Sequence, residues 1–170
     1  TLPGMAERTI VVNGFSKTYA MTGWRLGYLR APRWLARRII AFQSHTTSNP
    51  TTFAQYGAIA ALEGKADKEV RHMCEEFAKR RDLVYELISA IPGVKCIRPQ
   101  GAFYLLCDVS SFGMTSEEFC NRLLAEEKLA AIPCCSFGAE GQIRLSYACS
   151  EENIRDAAGR LDAFCREHGN

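Results

Sequence analysis

The 170-residue chain has no Cys-x-x-Cys pair, no apolar run of membrane-spanning length and almost no net charge, and each absence removes a class of function. Its eight cysteines stand at positions 74, 96, 107, 120, 134, 135, 149 and 165, a spacing that supports neither a zinc cluster nor a thioredoxin-type redox pair. No metal is expected. Several of the thiols, such as Cys107 within residues 103–109, fall inside apolar runs, where cysteine behaves as a small buried hydrophobe. Reduced thiols also fit a cytoplasmic address. Residues 1–9 lack the basic-then-apolar layout of a secretory signal, and a membrane span would need about 18 consecutive apolar residues. Lys and Arg number 21 against 19 Asp and Glu, so the formal charge of +2 offers no basic surface for nucleic acid or another polyanion. Internal repeats, low-complexity tracts and long Pro/Gly linkers are absent too. The first residue is Thr rather than Met, which leads us to expect a piece of a longer chain.

What is present is a chain that is 47% apolar, enough to bury a core in one ordinary domain or two small lobes. Residues 9–15 (Thr-Ile-Val-Val-Asn-Gly-Phe) read as a short buried strand, and residues 25–29 as a second. Residues 32–42 have helical spacing, with Arg33, Arg37 and Arg38 on a solvated face. Asn49-Pro50 predicts a helix start, since Asn accepts from free N–H groups and proline at the first position gives up a donor that had no partner. That helix runs to about Leu62 and stops at Gly64. Residues 67–91 are one long one-sided helix, ended by Pro92-Gly93. Beyond it, strands over 94–98, 102–109, 129–133 and 142–148 alternate with a helix over 117–127, capped by Thr115 and Glu118, and a last helix opening at Ser150. Two unequal lobes are expected. The first looks incomplete, because two strands and two helices cannot cover both faces of a parallel sheet.

Residues 14–27 read Gly-Phe-Ser-Lys-Thr-Tyr-Ala-Met-Thr-Gly-Trp-Arg-Leu-Gly. A lysine just past the end of a buried strand, among small residues, stands where α/β sheets bind ligands. Lysine forms imines with carbonyl cofactors when burial or a neighbouring cation makes neutral amine available. Arg25 offers such a cation, and its planar fork suits a phosphate. By pattern alone, Lys17 is either this reactive amine or one more surface lysine. Arg144 is likewise either an anion ligand or the partner of an acidic neighbour. Trp24 and Tyr28 read as packing residues, and His45, His72 and His168 as exposed helix or loop positions.

The segment 14–27 resembles the pyridoxal-phosphate attachment segment of the class I/II aminotransferases, enzymes of fold type I. The resemblance continues through residues 49–62, through Gly101-Ala102-Phe103-Tyr104, and through Ile143-Arg144-Leu145-Ser146-Tyr147-Ala148 with Ser150-Glu151-Glu152-Asn153 after it. It covers essentially the whole chain and is nearest to the bacterial aspartate aminotransferase-like subgroup. It implies an α/β fold: the end of the large cofactor-binding domain over residues 1–66, then an interdomain helix and a complete α+β small C-terminal domain over 67–170. It makes Lys17 the residue that joins the cofactor and then moves a proton between the substrate Cα and the cofactor C4′. Arg25 becomes a phosphate ligand, and Arg144 the fork on the substrate α-carboxylate. Fixing that carboxylate orients the Cα–H bond across the ring plane. Phe103 and Tyr104 follow a Gly-Ala turn where relatives place an aromatic over the substrate, and strand alternation sends one of the pair to the core. Gly14 stands where many relatives carry a phosphate-binding serine, so closer backbone approach at Gly14 and a contribution from Ser16 would have to serve instead.

The resemblance also implies a homodimer acting on an amino acid and a 2-oxo acid. Relatives with the same Lys and Arg catalyse carbon–sulfur β-elimination or ring-forming synthase reactions, and a non-catalytic interaction module is the alternative from another class. In the family the Gly-rich helix start under the phosphate, the aromatic on the ring, the Asn and Tyr at the ring hydroxyl and the Asp at the pyridine nitrogen all precede the lysine strand. None can be located in residues 1–16. The chain is therefore expected to be a C-terminal portion, inactive or nearly so by itself.

Overall fold

The β-branched run after Thr9 does become a strand, but not a buried one. In the computed structural model, which describes residues 2–169, β1 (Val11–Gly14) pairs antiparallel with β2 (Gly27–Arg30), from Val11↔Arg30 to Gly14↔Gly27. All eight residues of this ribbon are exposed. Among the described residues each strand of the ribbon has a single, antiparallel partner, so within this chain nothing flanks it to cover its apolar side chains and the expected burial is not met, as the expected incompleteness of the first lobe implies. The chain divides into two compact units, Thr1–His72 and Met73–Asn170.

The first unit continues with α1 (Arg33–Thr46), which has no buried residue and carries Arg33, Arg37 and Arg38 on exposed positions as expected. Next comes α2 (Thr52–Leu62). Its start lies two residues beyond the expected Asn49-Pro50, because Asn49 Nδ2 donates to Pro50 O at 2.7 Å instead of capping, and Gln55 Nε2 takes the same carbonyl at 2.8 Å. Thr51 is left as the N-cap, with extended ψ of 126°. The stop is as the sequence predicts: Gly64, at φ +81°, donates its N–H to Ala61 O. The unit's core is small, consisting of Phe15, Met21, Leu26, Ala54 and Ala58 with Tyr19 against them.

The long helix α3 (Asp67–Ser89) contains the division between the units. In the second unit, Gly93 turns the chain at φ +84° into a four-stranded antiparallel sheet of order β3-β4-β6-β5. Its strands are β3 (Lys95–Cys96), β4 (Tyr104–Asp108), β5 (Ile132–Pro133) and β6 (Gln142–Ser146). The two outer strands are shorter than expected, and β5 ends in a proline that has no N–H to give a ladder. Alternation sorts the two faces: Leu105, Cys107, Ile143 and Leu145 are buried, while Tyr104, Leu106, Arg144 and Ser146 lie on the other side.

The buried face packs with Val84 and Ile88 of α3, Phe119 and Leu123 of α4 (Ser116–Glu127), and Leu161 and Phe164 of α5 (Glu151–His168). Each such side chain contributes about 1.5–3 kcal/mol on burial. Both helix starts are capped as expected, with Thr115 Oγ1 accepting from the Glu118 N–H and Ser150 Oγ from the Asn153 N–H, each at 3.2 Å. A cap invisible in sequence joins them: Glu140 Oε1 accepts from the Ser116 N–H at 2.7 Å, a bond that holds the Glu140 carboxyl below its ordinary pKa. No helix among the described residues is long and apolar enough to cross a membrane.

Candidate active-site residues

Lys17 sits on an exposed turn held from both sides. Phe15, two residues before it and 2% exposed, donates its N–H to Leu26 O at the end where the ribbon closes. After it, Tyr19 N donates to Phe15 O and Ala20 N to Lys17 O, both at 3.2 Å, before Met21 enters the core. Ala20 adopts φ +53°, a left-handed conformation that costs a non-glycine residue about 1–2 kcal/mol and is maintained here by these two anchors.

Arg25 is tied to the same turn. It caps the 3-10 helix Thr22–Trp24 at φ 53°, ψ 48°, and its Nη1 donates to Thr22 O at 2.8 Å. Thr22 Oγ1 in turn donates to Ser16 O at 2.9 Å, so a two-bond chain runs from the Arg25 guanidinium to the residue preceding Lys17. One of the five guanidinium N–H donors is engaged in this bond. Gly14 is exposed, and a Cβ built there would meet nothing nearer than Leu26 O at 3.8 Å, which leaves open space at the position. Trp24 and Tyr28 pack, as expected: the Trp24 indole lies over Gly57 and edge-on to Phe53, and Tyr28 lies 5.5 Å from Phe15 between ring centroids.

These residues suit a phosphorylated aldehyde. An exposed amine on a rigid turn, a guanidinium fixed to that turn, and a glycine beside them with its side-chain space empty provide a nucleophile, a charged fork and backbone access.

The second unit carries Arg144 in the middle of β6, on the face away from the core, with Leu106 and Ile132 as its cross-strand neighbours. Among the described residues it makes no ion pair. Aromatic rings flank it instead: Cζ lies 4.3 Å from the Tyr104 ring centre and 5.2 Å from that of Phe137. Phe103 is the member of its pair that leans on the core, stacked 5.8 Å from Phe77, while Tyr104 lies beside Arg144. The turn feeding this pair is fixed by buried Tyr147, whose hydroxyl donates to Ala102 O at 2.9 Å and whose N–H donates to Phe103 O at 3.0 Å. Ala102 is another left-handed non-glycine residue, at φ +62°.

Two features escaped the sequence. Phe137 ends a short 3-10 helix, Cys135–Phe137, with no periodicity to mark it. His168, expected at an exposed and unmatched position, is corrected: its Nε2 lies 2.7 Å from Glu126 Oε2, Arg122 Nη2 lies 3.2 Å from its ring nitrogens, and its ring packs on Phe164. Hydrogen bonds from Arg122 and then His168 keep the Glu126 carboxyl below its ordinary pKa. Glu126, Glu167 and His168 place ligand atoms within 4.8 Å of one another, but the Arg122 guanidinium already fills the cationic role there. Burial pushes the Cys120 thiol up to about 11 and Cys165 to about 12, so both stay protonated and inert, as buried hydrophobes do.

Over 170 residues the chain is 42% identical to the aspartate aminotransferase of Pyrococcus abyssi, covering 98% of this chain and 43% of that protein. It is 39% identical to aromatic-amino-acid aminotransferase 2 of Thermococcus litoralis, with the same coverage of each. Among solved structures, the aromatic aminotransferase of Pyrococcus horikoshii superposes with a TM-score of 0.93 at 41% identity, over 98% of this chain and 45% of that one. The aspartate aminotransferase of Thermus thermophilus with maleate gives 0.88 at 39% identity, over 93% and 41%. The chain therefore spans less than half the length of these relatives. The sequence pattern of the family Aminotransferase class I and II matches residues 2–161, and the chain belongs to that family, whose enzymes depend on pyridoxal phosphate.

Proposed function

We propose that the complete protein is an aminotransferase that moves an amino group from an amino acid to a 2-oxo acid, and that these 170 residues supply its reactive lysine, a phosphate ligand and the substrate-carboxylate fork. The observation that carries this is the hydrogen-bonded chain from Arg25 through Thr22 to Ser16, which ties the phosphate-binding cation to the Lys17 turn. When bound, pyridoxal phosphate supplies the electron sink that makes the substrate Cα–H acidic. Lys17 Nζ holds the cofactor and then accepts and returns the Cα proton, so one amine serves binding and acid–base catalysis. Arg25, with the backbone at Gly14 and with Ser16, neutralises the phosphate.

Arg144 receives the α-carboxylate with two parallel hydrogen bonds, which a point-charge ammonium could not match. Tyr104 is the aromatic on the substrate side, and Phe103, the residue the family resemblance offers for that role, supports it from the core side through a ring contact at 4.5 Å between centroids. The named relatives act on aspartate or aromatic amino acids, and one of these classes is the proposed donor. We assign the protein to the cytoplasm as a homodimer. The first 66 residues would be the end of the large domain, and the remainder an interdomain helix with the small domain. The family resemblance puts the ring-nitrogen and ring-hydroxyl partners before the lysine strand, and on this reading the segment alone is inactive.

Product analysis tests this directly. The complete protein with an amino acid and a 2-oxo acid yields a new amino acid carrying the transferred nitrogen, and the isolated segment yields nothing. Release of ammonia and pyruvate instead, or robust turnover by the segment, overturns the proposal.

A further inference from the structure

Arg144 needs to be held flat without having its hydrogen-bonding edge used up, and an acidic partner would use it up. The structure holds it by ring faces instead. Tyr104 approaches from β4, one strand beside β6, and Phe137 from the turn that follows β5, the strand on the other side. Aromatic faces attract a guanidinium but accept no conventional N–H···O bond, so the five donors stay available to a carboxylate.

Within this chain Phe137 is 64% exposed, so the core of the second unit does not set its position. Its backbone is nevertheless fixed. It closes the 3-10 helix Cys135–Phe137, Gly138 turns the chain at φ +77°, and both Phe137 N and Ala139 N donate to Cys134 O. Cys134 is itself 2% exposed and donates its N–H to Gln142 O, at the start of the strand that carries Arg144. A well-anchored turn that presents an exposed aromatic ring to an arginine 5.2 Å away is a built contact.

We propose that Phe137 is a positioning residue for substrate: its ring face fixes the Arg144 guanidinium in the plane that receives the α-carboxylate of the amino acid or 2-oxo acid. The inference rests on Arg144 being the carboxylate fork. It differs from a general apolar role for Phe137 in requiring a π face, which Tyr keeps and Leu lacks.

The test titrates the complete isotope-labelled protein, in its pyridoxal-phosphate form, with pyruvate and follows the Arg144 Nε–H resonance by NMR, with Arg144→Lys identifying the signal. Phe137→Leu weakens the pyruvate-dependent shift by roughly two- to fivefold, while Phe137→Tyr stays close to wild type. Equal binding by wild type and Phe137→Leu overturns the inference alone. A wild-type resonance that never moves overturns the carboxylate role of Arg144 and this inference with it.

Discussion

The Arg144 guanidinium carbon lies 4.3 Å from the centre of the Tyr104 ring, closer than to any other ring that flanks it. At that distance the ring supports the cation from its face, and the fork remains the feature that selects a carboxylate. Arg144→Lys keeps the charge and loses the fork. Losing one charged hydrogen bond costs about 1.5–3 kcal/mol, roughly ten- to a hundredfold in affinity. In the complete enzyme we expect KM for both substrates to rise by that order with thermal stability unchanged, measured by steady-state kinetics beside a melting curve.

Gly14 has space for a larger side chain: no positive φ is required, and an added Cβ meets only Leu26 O at 3.8 Å. Gly14→Ser is therefore tolerated and places a hydroxyl where the family resemblance implies a phosphate contact. A hydrogen bond to a charged group suggests cofactor binding tighter by roughly tenfold. Equilibrium dialysis with pyridoxal phosphate checks it, and unchanged affinity with intact folding would count against the placement of the phosphate near Gly14.

Gly57 is constrained where Gly14 is not. An added Cβ would sit 2.6 Å from Trp24 Cζ3, inside any real contact distance, so the indole must move. Gly57→Ala gains about 1 kcal/mol of helix propensity and loses about 1–3 kcal/mol to overpacking. The expected result is a red-shifted Trp24 emission and weaker cofactor binding, because Arg25 follows Trp24 directly in the chain.

Asp82 accepts from Arg81 Nε at 2.8 Å and from Arg98 Nη2 at 2.6 Å, bonds that hold its carboxyl down at about 2. The unfolded carboxyl titrates near 3.9. A pKa depressed by folding gives stability that is present above the unfolded value and lost as pH falls toward the folded one. Between pH 4 and pH 2 the wild type should lose its stability advantage over Asp82→Asn. Urea unfolding at pH 6, 4 and 2 measures the difference, which should also shrink in high salt because the pair is exposed.

Local chemistry made much of this molecule readable. Thr115 and Ser150 cap helices because their hydroxyls meet N–H groups three residues on, a relation contained in the sequence. Lys17 and Arg25 were singled out by segment 14–27 and Arg144 by segment 143–148, both through the family resemblance. What failed depended on distant partners. Whether residues 11–14 are buried is decided by neighbouring strands, and the start of α2 moved because Gln55 reaches back to Pro50 O. Alternation said that one of Phe103 and Tyr104 faces the core but not which, and Tyr104 proved to be the neighbour of Arg144. Phe137 and the His168–Glu126 pair join residues from separate elements, 7 and 42 positions apart in sequence from Arg144 and Glu126, and no local pattern encodes them.

The central claim is that the Lys17 amine carries the cofactor. Borohydride reduction of the complete protein loaded with pyridoxal phosphate, followed by peptide mass spectrometry, tests it directly. The account predicts a phosphopyridoxyl group on the peptide containing Lys17 and its loss in Lys17→Ala. A tag on another side chain, or no tag at all, would contradict it.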